Sequence, residues 1–401
     1  MIRTAIVGGG AAGFFCAINL ARMCPQTSIT IYEQQQRVLS KVEISGGGRC
    51  NCTNSFEGIT DLKQVYPRGA TLLKRLFKTF GPRDAYEWFE SHGVPLVTQD
   101  DNCVFPQAQD SHAIIDCFMR EARQAGIRIK TNHKISNINE LTDEYDYVVV
   151  TTGGITKPQQ ASFLHPEPSV LTPCVPSLFT FNINDKALHQ RMGIVVENAT
   201  ASIPATKFKS EGALLITHWG MSGPAILKLS SHAALYLAER QYQSPLSINW
   251  TGISNTEQVR THLTQSITSN SRLIDNLHPF NLQSSLWQYL LTKAGMNGRK
   301  CQDIGPRNIN KLTELLTNDL YHINGRNHYK DEFVTCGGIS TSSINPNTLE
   351  SKHRPNLFFA GEVLDIDGIT GGFNFQAAWT TGYVVAQSIS KSMAENRPNL
   401  L

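Results

Sequence analysis

The stretch TAIVGGGAAGFFCAINLARMC, residues 4–24, decides the fold. A short β-branched and apolar run ends at Val7, and Gly8, Gly10 and Gly13 follow in G-x-G-x-x-G spacing. An apolar helix pattern then runs from Ala11 to about Met23, and a second strand pattern, SITIYE, ends in Glu33, twenty residues after Gly13. Each part has a reason in dinucleotide binding. Gly8 permits the tight turn, Gly10 lets the backbone approach a pyrophosphate, and Gly13 brings helix close to strand. The phosphates sit on the positive end of the helix, beside Ala11 and Ala12, and the acid takes the ribose hydroxyls. A carboxylate at Glu33 also disfavours a 2′-phosphorylated ribose. The expected fold class is therefore α/β, a Rossmann-like doubly wound dinucleotide-binding domain.

A second glycine-rich segment, KVEISGGGRCNCTN, spans Lys41–Asn54. It follows Glu33 closely enough for a loop to double back over the ligand. Free N–H groups in a glycine run form an anion nest, and Arg49 can pair with a phosphate through its planar fork. A flexible surface turn with a solvated arginine is the alternative.

At these residues the sequence resembles the BaiN/RdsA-like (YhiN-like) bacterial NAD(P)/FAD-dependent oxidoreductases. The resemblance is carried by VGGGAAG, KVEISGGGRCNCTN, THWGMSGPA, CGGIS and LFFAGEVLDIDGITGGFNFQAAWTTG, and it covers most of the chain from residue 2 to residue 390. It implies that the dinucleotide is FAD. Lys41, Ser45, Gly46, Gly47, Gly48, Arg49, Cys50 and Asn51 would then lie along the flavin. The backbone near Ile135 would meet the adenine. Thr152 and Gly153, which end the strand pattern DYVVVTTGG, would pass beside the dinucleotide. This chain departs from the family after Gly154, where its segment is short and proline-rich, and at Asn102 and Cys103 before Phe105 and Pro106.

The block Leu357–Gly382 joins a short apolar strand to an acid- and glycine-rich turn and then to an apolar stripe at helical spacing. A helix is expected to start near Asn374. Its first amides, at Gly372, Phe373 and Asn374 behind Gly371, carry about half a unit of positive charge that suits the pyrimidine edge of a reduced flavin. Glu362 or Asp365, after Gly361, would hold the ribityl hydroxyls. An ordinary glycine-capped helix is the alternative.

Between these ends, SHAIIDCFMREARQAG predicts a helix from about Ser111 closed by Gly126, leading into a third sheet strand. From about Pro158 extended stretches suggest an inserted, barrel-like antiparallel region, and helical patterns follow at about 256–269, 282–294 and 308–320. The expected domains are 1–157 with 335–401 for the FAD-binding part, 158–254 for the inserted β domain and 255–334 for a helical cap segment. In ITHWGMSGPA, His218 is a candidate proton-transfer residue, against the alternative of a histidine that positions a turn before Gly220 and Gly223.

Bulk properties narrow the partners. The chain has 401 residues, 40% hydrophobic and 17% charged, with a formal charge of +3. That argues against an obligatory nucleic-acid partner. No run of about eighteen apolar residues predicts a membrane span. Nine irregularly spaced cysteines read as reduced thiols, and the start MIRTAIVGGG lacks a signal-peptide plan, so a cytoplasmic location is expected. No His, Cys and carboxylate cluster has metal spacing. Cys50 and Cys52 are spaced C-x-C, without a C-x-x-C dithiol. The expected function is FAD-dependent hydride transfer between NAD(P)H or a small organic substrate and the flavin. No second G-x-G-x-x-G follows residue 150, so NADH or NADPH would act as a visiting donor. An oxygen-using amine or ketone oxidase and a non-catalytic FAD-binding regulator are the alternatives. Nothing in the sequence sets the oligomeric state.

Overall fold

A computed structural model describes residues 2–155, 158–164, 170–326 and 334–395. The chain divides into two compact units, one reaching to Val175 and resuming at Val334, the other from Pro176 to Phe333. The boundary drawn at Lys157 lies outside the described residues.

In the first unit, five parallel strands stand in the order Leu357–Phe359, Tyr147–Val150, Arg3–Val7, Ser28–Tyr32 and Arg128–Lys130. The central ones are buried along almost their whole length, as a parallel sheet covered on both faces requires. The helix expected from Ser111 is His112–Gln124, and Gly126 follows it at φ +66°.

The first helix, Ala11–Met23, leaves the first strand through a turn that only glycine allows. A β-carbon at Gly13 would lie 2.1 Å from the Gly8 carbonyl oxygen, and one at Gly8 would lie 2.3 Å from the Thr151 carbonyl oxygen. Against this helix packs the last described one, Phe373–Glu395. Gly382 makes the approach, since a β-carbon there would sit 2.8 Å from the Ala12 carbonyl oxygen. Trp379 is fully buried beside Phe15, Phe89 and Phe118, and its indole N–H donates to the Cys52 carbonyl at 2.6 Å. The C-terminal helix is thus part of the N-terminal core. A small antiparallel sheet of Thr53–Asn54, Cys103–Pro106 and Leu96–Thr98 ties down the end of the Lys41–Asn54 segment.

The second unit is a closed barrel of Val195–Ser202, Lys209–Thr217, Gly220–Ser222, Phe181–Ile183, Asp319–Arg326 and Gln243–Asn249. Helices Thr256–Thr268, Ser284–Ala294 and Pro306–Thr317 share its core. The sequence pattern separated a β segment from a helical segment at 254/255. In the structure the strand Asp319–Arg326 returns after the helices to close the barrel, so both segments belong to one unit. Buried Asp319 locks the junction by accepting from Trp250 Nε1 (2.9 Å) and Tyr321 OH (2.5 Å) and pairing with Lys293. No described helix is long and apolar enough to cross a membrane.

One buried histidine makes the first unit sensitive to acid. His92, 8% exposed, stacks on Trp88 at 3.8 Å, and its Nε2 has no hydrogen-bond partner. Burial pushes its pKa below the usual imidazole value, helped by Arg22 and Arg120 and opposed by the Trp88 carbonyl and Glu121. The fold favours the neutral ring, whereas the unfolded chain binds a proton below about pH 6.5. Stability should therefore be complete above that pH and fall below it. Thermal melts between about pH 7.5 and 5.5 should show a declining Tm, and His92→Gln should flatten the decline.

Candidate functional site

The carboxyl ends of the parallel strands gather the first set of expected residues. Gly8, at φ +118°, donates its N–H to the Tyr32 carbonyl at 2.8 Å. Glu33 is half-buried and turned back on the glycine turn: Oε2 accepts from Gly9 N at 2.9 Å and Oε1 from Gln35 N at 2.8 Å. Ile135, buried, follows the strand that pairs with the one leading to Glu33, and His133 N donates to the Glu33 carbonyl at 2.8 Å. Thr152 is exposed at the same sheet edge, and Gly153 beside it has φ +77°.

The three fingerprint glycines are not equivalent. Gly8 and Gly13 lack side chains because the chain's own backbone crowds them. Gly10 has an ordinary extended backbone (φ −95°, ψ −168°), and a β-carbon there would meet no protein atom within 4 Å. Among the described residues, nothing demands glycine at this position. Ala11 is half-buried beside it, and Ala12 packs on Gly361.

The Lys41–Asn54 segment forms a short helix, Ser40–Ile44, and then a tight turn in which Gly46, Gly47 and Gly48 have φ +57°, +70° and +86°. Ser45 anchors the turn, since its carbonyl accepts from Gly48 N and Cys50 N, both at 3.0 Å. A β-carbon at Gly47 or Gly48 would point into open space, whereas one at Gly46 would crowd Asn51 N at 2.9 Å. Arg49 lies over Phe105 at 4.3 Å and donates to the Gly46 carbonyl (3.1 Å) and to Gln109 (3.3 Å). The loop itself therefore holds the guanidinium. Cys50 and Cys52 are buried free thiols. Burial pushes Cys50 up to about 12 and Cys52 also well up, so neither is a thiolate near neutral pH.

The third segment closes on the second. A β-carbon at Gly372 (φ +89°) would lie 2.1 Å from the Thr53 carbonyl oxygen. Asn54 Nδ2 donates to the Gly371 carbonyl at 3.0 Å, and Thr53 Oγ1 to Gln376 Oε1 at 2.5 Å. With its amide oriented to satisfy both groups, Asn51 donates to the Thr53 carbonyl (2.9 Å) and accepts from Gly372 N (3.3 Å). The Gly372 amide, expected to face the cofactor, is thus taken by Asn51. Gln376 N bonds back to the Gly372 carbonyl at 3.0 Å, which leaves the amides of Phe373 and Asn374 in the first turn, ahead of the intrahelical ladder. The Asn374 side chain clasps Gly368, accepting from its N–H (2.8 Å) and donating to its carbonyl (2.9 Å).

Acids and bases in this region are paired across great sequence distances. Glu362, one residue after Gly361, accepts from Lys41 Nζ at 2.8 Å and from Thr335 N at 3.0 Å. Arg68 grips the fully buried Asp367 with two nitrogens. The sequence reading missed this pair. Its only local trace is the two acids of DIDG, two residues apart in an apolar surround. Asp365 is different: its Oδ1 is buried and has no hydrogen-bond partner. Burial pushes its carboxyl above the usual range, against the opposing pull of Thr172, Arg68 and the Gly337 N–H. His218 lies in the second unit, exposed in the turn between strands Lys209–Thr217 and Gly220–Ser222 and edge-on to Trp219 at 4.3 Å.

Comparison with known proteins agrees with this architecture. The chain matches the HI0933-like protein Rossmann domain family over residues 2–388 and belongs to it. It is similar to a 3-dehydro-bile acid delta(4,6)-reductase of Clostridium scindens, at 24% identity over 98% of this chain and 100% of that one. It is also similar to the ribosomal RNA dihydrouridine synthases of Haemophilus influenzae (25% identity, 96% of this chain, 98% of that one) and Escherichia coli (24%, 96% and 97%). Among solved structures, the 3-ketosteroid delta1-dehydrogenase from Sterolibacterium denitrificans shares the fold, with TM-score 0.50 at 10% identity over 98% of this chain and 100% of that chain.

The Arg68–Asp367 pair should behave as a buried ion pair. Arg68→Met strands an uncompensated carboxylate and should destabilise the protein by about 3–5 kcal/mol. The double variant Arg68→Met/Asp367→Leu should recover most of that loss, as measured by urea unfolding.

Proposed function

We propose that this member of the HI0933-like family is an FAD-dependent oxidoreductase that reduces a carbon–carbon double bond conjugated to a carbonyl. The observation that carries the cofactor reading is Gly10. It stands at the start of a thirteen-residue helix, next to Gly9, whose N–H donates to Glu33, and among the described residues no atom accounts for its missing side chain. A pyrophosphate seated on the helix N-terminus accounts for it. The open sides of Gly47 and Gly48 fit the same ligand.

The assignments follow from what each group can still offer. Glu33 uses one lone pair on each oxygen for the turn and keeps others for the adenosine ribose hydroxyls. The main chain near Ile135, Thr152 and Gly153 borders the adenosine end at the strand termini. Lys41 and Arg49 place positive charge along the Ser45–Asn51 loop toward the phosphates. Glu362 offers its carboxylate to the ribityl hydroxyls, and Gly361 and Gly371 keep that path free of side chains. The amides of Phe373 and Asn374 face the pyrimidine edge of the ring system, where helix N-terminal charge favours the anionic reduced form. FAD, when bound, supplies two-electron transfer at the ring, and the protein positions reactants and excludes water.

The substrate class rests on the relatives' names. A 3-dehydro-delta(4,6) bile acid carries alkenes conjugated to a ketone. Dihydrouridine arises by saturating the uracil double bond conjugated to a ring carbonyl. Both names describe saturating a carbon–carbon double bond conjugated to a carbonyl, which needs two electrons and two protons overall. The bulk charge argued against nucleic acid, but a uracil in RNA belongs to this class and is tested with it. With one dinucleotide fingerprint in the chain, the electron donor is a visiting NADH or NADPH.

Two experiments test this. Gly10→Val has an allowed backbone and room for its side chain, so the fold and Tm should persist while FAD affinity falls more than about tenfold. Full flavin occupancy in that variant would overturn the placement. Anaerobic NADH or NADPH should bleach the flavin of the purified protein, and uridine RNA or a 3-keto-4-ene steroid should restore its colour. An oxidase would be reoxidised by dioxygen alone, and a regulator would not be bleached.

A further inference from the structure

The reaction proposed above uses none of the chain's nine cysteines, yet the fold brings two of them together from distant parts of the sequence. Cys174 lies in strand Leu171–Ser177 and Cys336 in strand Val334–Ile339, and these strands pair as a separate two-stranded sheet. Both cysteines belong to the first unit, which the chain leaves after Val175 and re-enters at Val334.

Two backbone contacts set the register of this pair. Ser340 N donates to the Val170 carbonyl at 2.8 Å. Further along one strand and further back along the other, Gly337 (φ +94°) presses on the opposite main chain. A β-carbon there would sit 2.3 Å from the Pro173 carbonyl oxygen and 2.9 Å from the Cys174 Cα. One strand advances from Val170 to Pro173 while the other retreats from Ser340 to Gly337, so they run antiparallel, and the next residues in step are Cys174 and Cys336. Residues directly opposed in an antiparallel pair have Cα atoms about 4.5–5.5 Å apart and side chains on one face. A disulfide spans Cα separations of about 4.4–6.8 Å. The backbone therefore already meets the requirement for joining these two sulfurs.

The two thiols differ in access. Cys174 is half-buried, and its Sγ donates to the Thr172 carbonyl at 3.5 Å. Cys336 is 1% exposed, and burial pushes its pKa up to about 12, with Arg68 opposing and Asp367, Asp365 and Cys174 adding to the rise. A solvent oxidant thus reaches Cys174 first. Cys336 is inert by itself but is the sulfur that faces whatever forms on Cys174. We propose that Cys174 and Cys336 are an oxidative modification site, closing to an intramolecular disulfide when the protein meets hydrogen peroxide. The Cys174 sulfur attacks the peroxide O–O bond, which gives a sulfenic acid and one water. The Cys336 sulfur then attacks the Cys174 sulfur. The S–S bond forms as the S–O bond breaks, and the departing hydroxyl leaves with the Cys336 proton as a second water. The two thiols give up two electrons and two protons in all, and a dithiol reductant returns them. Thr335, beside Cys336, donates its N–H to Glu362, the partner of Lys41. The bridge would thus fasten the strand that steadies Glu362.

The test uses the full-length protein in its folded state. Reduced wild type is treated with hydrogen peroxide, blocked with N-ethylmaleimide, digested without reductant and mapped by mass spectrometry. The map should show one dominant pair of peptides joined through Cys174 and Cys336, and dithiothreitol should separate them. Cys336→Ser should lose the joined pair and accumulate a sulfenic acid at Cys174 that dimedone traps. Cys174→Ser should lose the joined pair and leave Cys336 as an unmodified thiol. Peroxide should raise the Tm of wild type and of neither variant, because a bridge that closes a long loop restricts the unfolded chain. The wild-type map decides the matter even if a variant fails to fold. Cys174 and Cys336 alkylated separately after peroxide treatment, or joined to other cysteines as often as to each other, would overturn the proposal.

Discussion

The first unit depends on one close backbone approach, between the Thr53 carbonyl and Gly372. A β-carbon at position 372 would lie 2.1 Å from that oxygen, so only glycine lets the two segments meet. Around this contact the chain adds the Asn54–Gly371, Thr53–Gln376, Asn51–Gly372 and Trp379–Cys52 hydrogen bonds, each linking residues more than 300 positions apart. The parallel sheet supplies the frame. This junction brings the glycine turn at Gly46–Gly48 and the start of the last helix into one cradle.

The cradle is mostly main chain. Its acids and bases are largely spoken for within the fold: Lys41 by Glu362, Arg68 by Asp367, Arg49 by Phe105 and its own loop. What remains to be offered to a ligand is the first turn of two helices, glycine surfaces, a few carboxylate lone pairs and the charge of Lys41 and Arg49. The helix ends and glycine backbone carry fixed partial charges that do not titrate, which suits a cofactor whose own charge changes during turnover.

Much of this could be read from the sequence because it is locally encoded. The strand, glycine turn, helix and acid of residues 3–33 are contiguous, and the helix predicted near Asn374 begins at Phe373. What escaped was non-local. The stretch after Pro306 carries a helical period that continues in the sequence to about residue 320, yet the helix ends at Thr317 and Asp319 opens a barrel strand. That strand is set by its pairing with Gln243–Asn249, which no local pattern announces. Helices Ala70–Leu76 and Pro82–Ser91 lay unassigned between louder motifs. The Arg68–Asp367 pair spans 299 residues, and neither partner looks unusual in its own segment. The same holds for Asn51, whose place in a glycine-rich motif was plain but whose capture of the Gly372 amide was not.

The central claim is that three separated stretches of main chain enclose one FAD. Amide hydrogen exchange, followed with and without added FAD, tests it most directly. The account requires simultaneous protection at residues 8–13, 45–49 and 372–374 when FAD binds. Protection confined to the first glycine turn, or none at all, would contradict it.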